Sequence, residues 1–171
     1  MAVSLYDATV ALYIRQTTGV QGILAKAKEH FENPDELMMT ARLIDDMAPL
    51  AFQLASVHHH SINAVKACSS GLFTPPNIPL PETFADGEKL IADTLTELKA
   101  VTAEDMEAVQ ANDVAFKMTG LELDFTVPGF LLSFSMPNFQ FHATTTYDVL
   151  RAKGLPLAKR DFMGGLDLKK S

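Results

Sequence analysis

PGFLLSFSMPNFQFHATTTYDVLRAKG, residues 128–154, is the longest apolar run of the chain, and it sets a histidine inside a hydrophobic face. At about 100° per residue, Leu131, Ser135, Phe139, Thr146 and Val149 fall within about 60° of His142. The spacing predicts a helix from Pro128 to Lys153, stopped by Gly154, with His142 on its core side. Pro137 should bend this helix, or the helix proper begins there. A buried imidazole needs partners for two nitrogens, and Thr146, Ser135 and Asn138 are the same-helix candidates.

Just upstream, residues 114–126 alternate apolar and polar on both sides of Thr119-Gly120, which predicts a hairpin leaning on the helices. Residues 4–31 carry Val10, Ile14, Leu24, Ala27 and Phe31 at helical spacing, with Thr17 in the same stripe and Gly19 as a cheap bend point. A second helix is expected over 34–70, capped by Asn33 with Pro34 at its first position. Its stripe is Leu43, Met47, Leu50, Leu54, Val57, Ala64 and Cys68, and Pro49 should kink or split it. Residues 72–82, with four prolines, read as an extended surface connection. Thr83-Phe84-Ala85-Asp86 opens a third helix to about Ala100, and Thr102–Asp105 a short one to about Val109. The expected fold class is all-α: an up-down four-helix bundle, one domain over residues 1–171, with a small β-hairpin before the last helix.

Apolar residues make up 47% of the chain and charged ones 20%, values of a soluble globular protein. A net charge of −7 without a basic footprint argues against nucleic acid and against anionic membrane surfaces. No apolar run is long enough to span a membrane. The single cysteine, Cys68, suits a reducing compartment, so the expected location is cytoplasmic. It lies on the apolar stripe and reads as a buried, inert thiol.

His58-His59-His60 looks like a metal cluster, but helix geometry thins it. His59 should point away from the Leu50–Val57 stripe, toward water, while His58 and His60 flank the stripe. At most one of these two can face His142, and spacing does not choose between them. A working zinc site takes about three protein ligands. Two readings follow: His142 is an interior histidine satisfied by protein groups, or His58, His60 and His142 form a metal-binding set. Asp45-Asp46 diverge on a helix and read as surface charge. No G-x-S-x-G turn or glycine-rich phosphate loop is present. Lys159 and Arg160 either bind an anion or, as we favour, belong to a tail docked by Phe162 and Met163. Eight methionines and the proline-rich connection are compatible with a small-molecule cleft.

ARLIDDMAPLAFQ (41–53), TFADGEKLIADTL (83–95), PNFQFHATTTYDVLRAKG (137–154) and LAKRDFMGG (157–165) together resemble the DUF1993 family, within the DinB/YfiT-like superfamily of metal-dependent enzymes. The resemblance spans nearly the whole chain and implies a four-helix bundle that forms a homodimer. It also implies a divalent metal, zinc or nickel, held by one histidine of helix two and two at H-x-x-x-H spacing on the last helix. His142 matches the first of that pair, but position 146 is threonine, and a neutral hydroxyl is a poor substitute for imidazole. The expectation is a non-catalytic or small-ligand-binding protein with a degenerate metal site around His142, Thr146, Asn138, Phe139 and Ser135. The alternative is a metal-dependent enzyme, of thiol or small-group transferase type, using His142 with His58 or His60.

Overall fold

Thr9 interrupts the first helix. A capping box between Ser4 and Asp7 starts α1, Leu5–Ala8, and Thr9 at φ −131°, ψ −76° separates it from α2, Val10–His30. The structure, a computed structural model, describes residues 3–166 together with 168–169. Gly19 is not a bend, and α2 runs through it. A Cβ there would lie 2.6 Å from the carbonyl oxygen of Phe162, so the glycine allows another segment to approach.

The second predicted helix is split. α3 covers Asp35–Thr40, residues 41–49 are irregular, and α4, Leu50–His58, begins directly after Pro49. Proline cannot donate a helical hydrogen bond and disfavours helix in the residue before it. Leu43 is accordingly exposed rather than part of the stripe. Asn33 caps nothing, and its amide donates to Glu36 instead. Asp35 accepts the backbone N–H of Phe84 at 2.7 Å, tying α3 to the start of the next long helix.

His59–Asn63 then form a π-helical turn that continues into α5, Ala64–Ser70, ended by Gly71 at φ 74°. Leu72–Phe73 is a strand, β1, where a plain connection was expected. α6, Phe84–Ala100, and α7, Ala103–Val109, both start with the predicted capping boxes, at Thr83/Asp86 and Thr102/Asp105. The hairpin is β2, Asp113–Met118, with β3, Leu121–Thr126, turned at Gly120 with φ 77°. β1 pairs parallel to β2, and the three-stranded order is β1-β2-β3. The last long rod is α8, Val127–Gly129, a second π turn, Phe130–Ser135, and α9, Met136–Ala152. Pro137 causes no break. The wider turn just before it accommodates the missing N–H and the bulk of the ring. α10, Lys159–Met163, is the last helix among the described residues.

The fold is thus mostly helical with a small sheet. α2 packs on α6 and α9, and α4 packs on the same two helices. Tyr13, Ile23, Leu24, Leu50, Leu54, Ile91, Leu98 and Phe139 are fully buried between them. The sheet docks through phenylalanines: Phe116 lies 4.9 Å from Phe134, Phe125 5.9 Å from Phe130, and Phe73 5.0 Å from Phe130. This aromatic seam is what a two-stranded hairpin needs to be stable. No helix among the described residues is long and apolar enough to cross a membrane.

Candidate site at the paired π turns

The two π turns face each other, and a polar relay joins them. The Ser135 hydroxyl donates to the backbone carbonyl of His60 at 2.7 Å. Ser135 has a single proton, so the Tyr13 hydroxyl, 2.7 Å away, must donate to Ser135. Burial raises the pKa of the Tyr13 phenol, which keeps it in its donor form. Ser135→Ala leaves the buried Tyr13 hydroxyl without a partner and should cost about 2 kcal/mol. Tyr13→Phe removes only one bond and should cost about 1 kcal/mol. Urea unfolding of both variants checks this, and equal losses would mean that the relay is not wired this way.

The imidazoles lie around this junction. His142 Nδ1 is 2.8 Å from Gln53 Oε1, and the Gln53 amide is oriented by donating to the Ala48 carbonyl at 2.9 Å. Nδ1 therefore carries the proton and Nε2 keeps a lone pair. His58 is set in the same way. Its Nδ1 lies 2.8 Å from Thr94 Oγ1, whose own proton goes to the Leu90 carbonyl. His60 stacks on His142, with ring centres 5.7 Å apart and planes 12° from parallel. His59 stacks on Phe73 at 4.3 Å and meets His60 edge-on at 5.1 Å.

His59 is the main correction to the sequence-based expectation. It is 5% exposed rather than directed to water, because β1 and the residues after it cover that side of the helix, with Phe73 stacked on the ring. His59 Nε2 and His60 Nδ1 are buried without a hydrogen-bond partner. Burial lowers the pKa of His59 to about 4, of His60 to about 3 and of His142 to about 4; neighbouring imidazoles add to each shift. His58 is lowered too, chiefly by burial. At neutral pH the cluster is uncharged and rich in acceptors.

The same-helix candidates do other work. Thr146 is fully buried, and its hydroxyl donates to the His142 backbone carbonyl at 2.9 Å. Asn138 donates to the Phe134 carbonyl, and Phe139 packs edge-on against Tyr13 at 4.8 Å. Of the set His58, His60 and His142, the last two are brought into contact, while His58 is tied to Thr94 of α6. Asp45 and Asp46 are exposed in the irregular segment. Among the described residues, no group of three or more His, Cys, Asp or Glu side chains is placed to hold a metal ion. The three-histidine set implied by the resemblance does not fit, since the second ligand position on the last long helix, α9, is the Thr146 hydroxyl, bonded to backbone. Cys68 is buried, with its thiol pushed up to about 12 by burial, as an inert thiol should be.

Gln53 and Phe73 were missed. Gln53 follows Leu50 by three and precedes Val57 by four, so it sits on the α4 stripe as a lone polar residue, a readable signal. Phe73 had none, because its strand is two residues long and pairs with a distant partner.

One solved structure similar to this chain is the crystal structure of a DinB family member protein from Shewanella denitrificans. It is 24% identical, with a TM-score of 0.80 over 98% of this chain and 96% of that one. That likeness shows the fold. No curated protein matches significantly. Residues 5–163 match the family described as "Domain of unknown function (DUF1993)", and the chain belongs to that family, with a DinB-like fold.

Proposed function

We propose that this protein binds a small molecule at the His60–His142 stack and does not use the three-histidine metal chemistry implied by its superfamily. The observation that carries this reading is the Thr146 hydroxyl, committed to the His142 backbone carbonyl where a second imidazole would be required. The ligand class that suits the stack is a molecule with an O–H or N–H donor directed at His142 Nε2 and an apolar body. Phe52 and Phe141, at 5.8 and 5.2 Å from the His142 ring, supply the apolar wall.

One observation favours the rival reading of a metal-dependent transferase. A histidine whose Nδ1–H is held by a carbonyl oxygen and whose Nε2 is free is oriented as metal ligands usually are. Elemental analysis of protein purified without a histidine tag separates the two. The expected result is far less than one equivalent of zinc or nickel, unchanged in His142→Ala. Close to one equivalent, lost in that variant, overturns the proposal in favour of the enzyme.

The same proposal takes the four rods as an up-down bundle, the protein as cytoplasmic and the working unit as a homodimer. Met118, Leu121 and Leu123, exposed on one face of the hairpin tip, support the dimer. Sedimentation showing only monomer at micromolar concentration would remove it.

A further inference from the structure

His59 borders a recess whose lining does not include His142. A cavity of about 350 Å³ lies between α5 and residues 72–78 that follow it, lined among others by His59, Asn63, Lys66, Phe73, Thr74 and Asn77. Its size is within the usual range for small-molecule sites. The buried His59 ring forms its inner wall, stacked on Phe73. Lys66 is its one charged lining residue, and none of its described lining residues is a carboxylate. Four other clefts of the molecule each carry Glu or Asp, as expected for a chain of net charge −7.

From this lining we infer that the cavity is a binding site for a small organic anion, a carboxylate or a phosphate ester. The acidic group is received by the Lys66 ammonium with the side-chain amides of Asn63 and Asn77, all donors. The carbon skeleton lies against Phe73 and Ile78. Lys66 is at present paired with Glu97 of α6, which is not part of the lining. An arriving anion competes with that exposed carboxylate for the ammonium, and exposed pairs of this kind are weak. The recess does not include His142, so the site stands whether or not the His60–His142 stack binds anything.

The test is NMR observation of the histidine side chains while inorganic phosphate, succinate or choline chloride is added at constant ionic strength. Saturable shifts of His59 with phosphate or succinate, and none with choline, are expected. Lys66→Met should weaken the binding about tenfold, and Glu97→Gln should strengthen it. His142→Ala should leave it unchanged, which keeps this result separate from the reading at the stack. Absence of saturation with both anions, an equal response to choline, or unchanged affinity in Lys66→Met overturns the assignment. Lys66 and Glu97 are exposed, so both variants should fold, and unchanged melting confirms it.

Discussion

Unfolding free energy should fall steeply as the pH drops below about 6.5, by roughly 4 kcal/mol at about pH 4.5. The cause is the imidazole cluster. His59, His60 and His142 have folded-state pKa values of about 4, 3 and 4, each held down first by burial. In the unfolded chain they return to about 6.5. Below that value the unfolded state binds more protons than the folded one, so stability decreases with falling pH; above it, the contribution is fully present. The ceiling is about 1.4 kcal/mol per pH unit for each histidine. Partial exposure of His60 and His142 lets solvent reduce this, and about half the ceiling is a reasonable expectation. Over two pH units that is still roughly 4 kcal/mol, against a total of about 5–15 kcal/mol for an ordinary domain. The capping carboxylates Asp86, Asp105 and Asp161, lowered by their hydrogen bonds, act in a different window. Their contribution is present above about pH 4 and is lost below it. Urea titrations at intervals of half a pH unit check this. His60→Gln should flatten the slope by about a quarter to a third, because it removes one of the histidines whose pKa burial lowers, His58 among them. A stability curve flat down to about pH 5 would show that the rings accept protons in place, and the account would fail.

Local chemistry was legible where one short stretch decides the outcome. The two capping boxes at Thr83 and Thr102, the turn at Gly120 and the burial of Cys68 each follow from neighbouring residues, and the structure has them. Pro49 was read as a kink or a break, and it is a break. What failed was the assumption that the side of the helix away from the Leu50–Val57 stripe faces water. A count at 100° per residue places His59 on that side, and there Phe73 of a two-residue strand covers it. No local pattern marks that cover in advance, because β1 is placed by pairing with β2, some forty positions on. The π turn that follows, bridged from Ser135 to the carbonyl of His60, was equally unmarked. The same distance effect hid the partner of His142. Its candidate partners lay on its own helix, whereas Nδ1–H donates to Gln53, 89 positions earlier. Helical spacing and the family resemblance both singled out His142, and threonine at position 146 already marked the ligand set as incomplete; the structure adds that its hydroxyl donates to the His142 carbonyl.

Gly19→Ala should destabilise the protein by about 3 kcal/mol, although alanine is the better helix former. The new Cβ would stand 2.6 Å from the Phe162 carbonyl oxygen and 3.1 Å from that of Asp161. Both are backbone atoms, so no side chain can rotate away and α10 must lift off α2. Lifting it separates the Lys26–Asp161 pair, 2.6 Å apart, and withdraws Phe162 from the edge of Tyr147 and from the core. It also disturbs Gly164, whose φ of 66° and close approach to the Arg15 carbonyl fit no other residue well. Gly22 is the internal control. It lies one turn further along the same helix with nothing near its would-be Cβ, so Gly22→Ala should be neutral or stabilising by up to about 1 kcal/mol. Urea unfolding gives the energies, and trypsin cleavage at Lys159 and Arg160 should accelerate in Gly19→Ala alone. Because the substitution already displaces α10, adding Phe162→Ala should cost little more, whereas Phe162→Ala in the parent chain should cost about 2 kcal/mol. Additive losses would mean that the alanine is accommodated inside α2, with the C-terminal helix still docked.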